Sequence, residues 1–522
     1  MGLLKSTAIV STMTMVSRVL GLARDMVFTQ IFGAGAGTDA FLVAFKIPNF
    51  LRRLFAEGAF SPAFVPVVTE YKQQRNHTEV HELVGRTAGT LGLILLAVTT
   101  VAIIAAPVVV GIFATGFLLN YPDKFDLTVQ MLRITFPYIL FISLTALAGS
   151  VLNVYGKFAV PALTPVFLNI LLILAAVFLA PLMAEPVTAL AWGVFIAGIV
   201  QLAFQIPFMA KLGLLGRPRW GWDHEGVRRI VKLMIPGIFG SAVMQINLLL
   251  DTVIASFLIT GSVTWLYLSD RMMELPLGVL GIALATVILP ALSRKHADAN
   301  PRDFSHTIDW ALRWVLLVGM PSAVGLAVLS GPIISTLFQH GQFSANDVRM
   351  AQLSLMAYSF GILGFIAVKV LAPGYFARQD TKSPVRIGVI AMVVNMVCNI
   401  AFVVPMVMLD FTGPHTGLAM ATTVSSFVNA GLLLRGLWKS GVYQPDAGWG
   451  RLFVQVILAN SVMLAVLWGM SGHLDTWLSA GVLMRSGWLA GIVLVGAVVY
   501  FAMLWLLGLR LHQLRRPAES AR

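Results

Sequence analysis

The stretch GTLGLILLAVTTVAIIAAPVVVGIF, residues 89–113, contains no charged side chain. An α-helix rises 1.5 Å per residue, so about 20 apolar residues cross the ~30 Å hydrocarbon core of a bilayer. The segment is long enough to span, and LFVQVILANSVMLAVLWGM at 452–470 repeats the pattern far along the chain. Working outward from these two runs, hydropathy with breaks at charge clusters and Pro/Gly loops predicts about fourteen spans. They centre in 8–31, 38–68, 87–113, 128–153, 158–181, 187–211, 233–259, 263–291, 307–330, 349–375, 385–408, 416–437, 452–470 and 485–509.

Composition supports that reading. Of 522 residues, 58% are hydrophobic and 11% charged, against about 25% charged in soluble domains. That is too little charge to coat soluble surfaces, so a soluble enzyme and a disordered chain are excluded. The single cysteine, Cys398, excludes an internal disulfide framework and a CxxC metal site. The net charge of +13 reads as topology, since basic residues collect in cytoplasmic loops; nucleic acid is not expected. No short apolar region separates Lys5 from Arg18 and Arg24, so the first span is expected to stay rather than be cleaved as a signal peptide.

With the N-terminus in the cytoplasm, 24 Lys and Arg fall in inner loops and tail, while Lys124 and Arg485 fall outside, with Arg349 at a span edge. Strict alternation of this kind predicts an even number of spans with both termini cytoplasmic. The expected organisation is an N-lobe at 1–212, an amphipathic interlobe linker at 213–232, a C-lobe at 233–440, and two further spans with a tail at 441–522. In the linker, Trp220 and Trp222 are expected at the headgroup level with the arginines facing anionic lipid. Spans two and eight look related at an offset of 224 residues: each opens on a polar turn and an aromatic, carries charge mid-segment, and ends at Pro66 or Pro290. Internal repeats in a membrane protein point to a transporter.

Charges within the spans are the strongest functional signal. Eight basic residues (Arg18, Arg24, Lys46, Arg52, Arg53, Arg133, Arg271, Lys369) and six acidic ones (Asp25, Asp39, Glu57, Asp251, Asp270, Glu274) stand out. Each costs on the order of 2.5–3.5 kcal/mol at a helix centre, so they are expected to face water or one another. Eleven of these fourteen lie in spans one, two and eight; a purely structural set of paired charges would need no such concentration. At about 100° per residue, Asp39, Lys46, Arg53 and Glu57 form one stripe with Asn49. Arg24 points about 120° from Arg18, so both reach one site only if span one bends, with Gly21 the expected place. Arginine prevails among the cations, which suits bidentate recognition of phosphate or diphosphate. A second cluster offers hard oxygen ligands for a cation: Asp251 with Asn247, Asn395, Asn399, and Thr422 or Thr423; an interhelical hydrogen-bond network is the other reading. His340, His415 and His473 are isolated and expected to be solvated. No catalytic triad, HExxH or P-loop motif is found, so an enzyme is not expected.

The segments SRVLGLARD (17–25), TDAFLVAFKIPNFLRRLFAEGAFSPAFVP (38–66), SDRMMELPLGVLGIALATVILPALS (269–293) and YFARQDTKSP (375–384) closely resemble the MurJ (MviN) family of bacterial lipid II flippases. The likeness runs over essentially the whole chain. It implies the all-α fold of the multidrug/oligosaccharidyl-lipid/polysaccharide exporters: two pseudo-symmetric six-helix lobes around a central cavity, plus two helices forming a groove for the lipid tail. It implies a substrate, undecaprenyl-diphosphate carrying the peptidoglycan disaccharide-pentapeptide, flipped by alternating access in the cytoplasmic membrane. The family's cavity positions fall on Arg18, Arg24, Asp39, Arg52, Arg53, Glu57 and Arg271, with Lys46, Asn49, Asp270 and Glu274 in support. Asp39 and Glu57 would hold the arginines in position. The resemblance also implies Na+ at Asp251, Asn395, Asn399 and Thr422, with Asn where some members carry Asp. The expected partners are lipid II and membrane lipids, the protein working as a monomer near the cell-wall synthesis machinery. An exporter of drugs or other lipid-linked oligosaccharides is the alternative, and a membrane glycosyltransferase a more distant one.

Overall fold

The computed structural model describes residues 3–297 and 300–510, with the side chains of 3–9, 56–57, 239–245, 248, 279–280, 282–283 and 285–286 outside that description. Among the described residues the regular structure is entirely helical. Ten helices are long and apolar enough to cross a membrane: His77–Ile104, Pro122–Val154, Ala159–Leu182, Thr188–Lys211, Pro301–Val328, Ala345–Phe376, Lys382–Met408, Thr416–Lys439, Trp449–Ser471 and Val482–Leu506. They fall on expected spans three to six and nine to fourteen. Helices also occupy the positions of spans one, two, seven and eight; spans one, two and eight carry the concentrated charge, and span seven includes side chains outside the description. Large apolar side chains such as Ile104, Leu182 and Leu483 are exposed. On helices long and apolar enough to span, an apolar exterior of that extent is a lipid-facing surface. The chain is a multi-pass helical membrane protein.

The chain forms two compact units, Met1–Thr264 and Trp265–Arg522. In the first, the helix Leu3–Phe32 packs along Ala159–Leu174, Ala36–Arg52 along Pro122–Thr135, and Glu225–Ser256 against Arg53–Phe60 and Ser61–Gln74. In the second, Ala345–Phe376 packs against Thr416–Lys439 and Met320–Val328, while Trp449–Ser471 pairs with Val482–Leu506. Division by compactness thus falls after Thr264, later in the chain than the 213–232 segment at which the span pattern divides it.

That segment is only partly helical. Residues 214–221 are irregular and lie along His77–Ile104, where the Arg219 amide donates to the Gly85 carbonyl at 3.3 Å and the Gly221 amide to Thr90 Oγ1 at 3.0 Å. Gly89 permits the approach: a Cβ there would stand 2.3 Å from the Arg219 carbonyl oxygen. The helix begins at Glu225, capped by His224, whose Nδ1 accepts from the Gly226 amide at 3.1 Å.

Spans two and eight share a defect. Ala36–Arg52 gives way to a π-helical stretch, Arg53–Phe60, before Ser61–Gln74. Ser262–Pro276 gives way to Leu277–Gly281 before Ile282–Ala297. Arg53 and Leu277 are separated by the same 224 residues that relate Pro66 to Pro290. A proline borders each stretch. Pro62 offers no amide hydrogen to the Gly58 carbonyl, and Pro276 ends the α-helix before Leu277. π turns of this kind gather at functional sites.

Candidate functional site

The helix Leu3–Phe32 runs without interruption through Gly21. Arg24 turns toward Ala159–Leu174. Its Nε donates to Asp25 Oδ1 at 2.9 Å and its Nη1 to Asn169 Oδ1 at 3.1 Å. Asn169 in turn donates to the Ser17 carbonyl at 3.0 Å. Arg24 and Asp25 are both buried. Removing either partner would leave a buried charge uncompensated, which costs several kcal/mol. Arg18, one and a half turns earlier, is half-buried and has no hydrogen-bond or ion-pair partner among the described residues.

Asp39 does not hold an arginine. Its side chain is 1% exposed and that of Lys124 3%, with Lys124 Nζ at 2.8 Å from Asp39 Oδ2. Three more donors complete it: the Gly261 amide at 2.8 Å, the Thr264 amide at 3.0 Å and Thr264 Oγ1 at 2.7 Å. Gly261 and Thr264 close the first unit and border a helix start, where free amides favour an anion. Lys124 also lies over the Phe117 ring at 4.3 Å. The sequence reading placed Lys124 in an outer loop as an orientation charge. It is buried, with its ammonium on the Asp39 carboxylate.

Farther along span two the charges are less confined. Lys46, Asn49, Arg52 and Arg53 are half-buried, and Arg52 Nε donates to Asn49 Oδ1 at 2.9 Å. Arg53 has no hydrogen-bond or ion-pair partner among the described residues. It opens the π stretch Arg53–Phe60, within which the 100° spacing of an α-helix no longer applies. The Glu57 side chain lies outside the described residues.

In the second unit, Arg271 and Glu274 form a loose pair at 3.5 Å, with side chains 40% and 44% exposed. Arg271 Nε also donates to Tyr267 Oη at 3.2 Å, with the guanidinium 5.3 Å from that ring centroid. Asp270 is half-buried. Among the other anomalous charges, Arg133 and Lys369 are exposed. The cation set is divided: Asp251 is half-buried in the first unit, whereas Asn395 and Asn399 are fully buried in the second. The Thr422 hydroxyl donates to the Leu418 carbonyl at 3.0 Å, which leaves its oxygen able to accept or ligate. These oxygens are the hard donors that sodium takes.

His415 corrects the expectation of solvated histidines. It is fully buried, hydrogen-bonded to the Met350 carbonyl at 3.0 Å and 5.1 Å from the Trp265 ring. Burial pushes its pKa down to about 4. The sequence reading also passed over Asp309, which accepts from Arg313 Nε at 2.7 Å, Trp449 Nε1 at 2.6 Å and Tyr443 Oη at 2.9 Å. Burial, with Asp309 beside it, raises the Tyr443 pKa. The i,i+4 spacing of Asp309 and Arg313 was the one local signal of this cluster.

Membrane helices with proline-bordered π turns, and guanidinium groups held part-way out of the protein interior, describe a transporter rather than an enzyme. The family model for lipid II flippase MurJ matches residues 28–487. The chain belongs to the MurJ family. Its MurJ relatives include the probable lipid II flippase MurJ of Vibrio cholerae, 49% identical over 99% of this chain and 98% of that one. The lipid II flippase MurJ of Burkholderia cenocepacia is 42% identical over 99% of this chain and all of its own length. A solved lipid II flippase MurJ in an inward closed conformation superposes with a TM-score of 0.79 at 27% identity, covering 96% of this chain and 98% of that one. An inward-facing multidrug resistance MATE family transporter matches with a TM-score of 0.62 at 14% identity over 83% of this chain and 98% of that one, a likeness of fold alone.

Proposed function

We propose that this protein moves lipid II, the undecaprenyl-diphosphate-linked peptidoglycan precursor, from the inner to the outer leaflet of the bacterial cytoplasmic membrane. It does so as a monomer, with both termini in the cytoplasm, by alternating access. The observation that carries this reading is the set of half-buried guanidinium groups, Arg18, Arg52, Arg53 and Arg271, on spans that lipid alone would not let carry charge. Arginine presents a planar fork of donors, matched to diphosphate oxygens. Each of these four is suited to contact the substrate headgroup. Arg24 and Asp39, saturated by their own partners, are positioning residues that fix the spans bearing the contact groups. Glu57, Lys46, Asn49, Asp270 and Glu274 lie on the same charged spans and exchange partners with the arginines as the protein changes state.

The polyprenyl tail stays in lipid beside Trp449–Ser471 and Val482–Leu506. A negative-inside potential favours outward movement of anionic charge by about 2.3 kcal/mol per charge at 100 mV. Sodium, for which Asn395, Asn399 and Thr422 of the second unit and Asp251 of the first are each donors of the right kind, would supply a second driving force; flipping in sodium-free buffer tests it. The central test is depletion of the protein in growing cells. Lipid-linked precursor should accumulate on the cytoplasmic leaflet, and normal delivery to the outer leaflet would refute the reading.

A further inference from the structure

Beside the π stretch of span two the first unit contains a cavity of about 200 Å³. Leu91 and Ile94 of His77–Ile104, Phe60 of the π stretch, and Val231 and Ile235 of Glu225–Ser256 line it, together with the exposed Trp222. Two of its polar neighbours are engaged, Thr87 Oγ1 donating to the Leu83 carbonyl and Thr90 Oγ1 to the Arg86 carbonyl while accepting from the Gly221 amide; the third, Ser143, has a buried hydroxyl without a hydrogen-bond partner among the described residues. Apart from that one hydroxyl the lining suits an apolar chain.

The Trp222 side is marked as a membrane surface. Trp222 stacks on Trp220 with ring centroids 6.0 Å apart, and both are exposed, the habit of indoles at the headgroup level. Cations surround them in excess. Arg86 is taken up by Glu82 and Asp223, and Arg229 by Glu70. Arg219, Arg228 and Lys232 are exposed and have no carboxylate partner among the described residues. Arg228 Nε donates to the Trp222 carbonyl at 2.8 Å, which holds it beside that lining residue. On its helix Arg228 lies within about 60° of Val231 and Ile235, so a cation and an apolar wall follow one another along one edge.

We propose that this is a binding site for one acyl chain of an anionic phospholipid, with the lipid phosphate held by Arg228 and Arg219. The chain enters between the π stretch and Glu225–Ser256, and the headgroup remains at the membrane surface. A small phosphodiester headgroup suits this position. The bulky sugar-peptide headgroup of lipid II finds little polar lining here, so the site is distinct from the transport path.

The test uses the full-length protein in detergent micelles, its melting temperature read with added phosphatidylglycerol or with phosphatidylcholine of the same acyl chains. Phosphatidylglycerol should raise the melting temperature of the wild type and phosphatidylcholine should not. Arg219→Gln with Arg228→Gln, both at exposed positions, should abolish the rise without lowering the lipid-free value. Leu91→Trp, which fills the cavity, should abolish it as well. Equal stabilisation by the two lipids, or a rise that survives the double arginine variant, would overturn the proposal. Greater stabilisation by undecaprenyl phosphate, lost in Leu91→Trp, would assign the cavity to an isoprenoid and overturn it too. Should Leu91→Trp fail to fold, the arginine variant decides alone.

Discussion

Spans two and eight carry the same backbone defect at the same place in an internal repeat, yet span two opens on a sealed charge, Asp39, where span eight has Val263. At the start of span two, Asp39 and Lys124 are sealed from solvent and every oxygen of the carboxylate is engaged. In span eight, Arg271 and Glu274 meet loosely with nearly half of each side chain exposed. The offset that aligns Arg53 with Leu277 also aligns Lys46 with Asp270 and Glu57 with Gly281. The break is therefore common property of the two helices, while the ionisable groups differ between them. A charge inside a membrane span can be a fastener or a contact surface, and burial with saturation separates the two.

The comparison can be broken most directly at its sealed end. Asp39→Ala leaves the Lys124 ammonium and two backbone amides without their acceptor, and we expect a loss of about 3–5 kcal/mol, read as a fall in melting temperature in detergent. Pairing Asp39→Asn with Lys124→Met should restore part of it; no recovery would mean that the ion pair is not what Asp39 contributes.

A second sealed group lies in the other unit. His415 is held neutral, its pKa about 4 when folded against about 6.5 unfolded. The unfolded chain therefore takes up the proton first as pH falls. Its contribution is intact above pH 6.5 and is lost progressively toward pH 4, by up to about 3 kcal/mol. His415→Gln should flatten this part of the stability profile between those values.

The open end predicts the reverse pattern. Arg271→Ala should leave the melting temperature within the change expected of a surface substitution, about 0.5 kcal/mol, while lowering lipid II delivery to the outer leaflet by at least about tenfold, the effect of ~1.4 kcal/mol of lost headgroup contact. Full transport would make Arg271 a bystander. Smallest of all, Glu274→Gln should change stability by less than about 0.5 kcal/mol, since the pair is exposed and long. A larger fall would show that Arg271 and Glu274 are fastened in the way Asp39 and Lys124 are.

The helical membrane fold was legible because length and apolarity alone decide it, as in 89–113 and 452–470. The repeat was legible in its prolines, Pro66 and Pro290, and the π turns fall at the same offset. Charge in spans one, two and eight was legible because any ionisable group there is anomalous. Which of those groups are fasteners was not. Arg24 reaches Asn169 across 145 positions of sequence and Lys124 reaches Asp39 across 85, pairings that no local periodicity encodes. His415 was misread for the same reason: short polar loops are usually wet, and the Met350 carbonyl and Trp265 ring that enclose it come from distant parts of the chain.

The wide turns in spans two and eight have a bearing on how these helices tolerate change. A π turn holds one residue more than an α turn, so tightening it to α would rotate everything beyond it by about 100°. Each of these two helices thus carries its own swivel, and the side chains ahead of it can be re-aimed against those behind by gaining or shedding a single position. Elsewhere in a tightly hydrogen-bonded span the same one-residue edit would throw an entire face out of register.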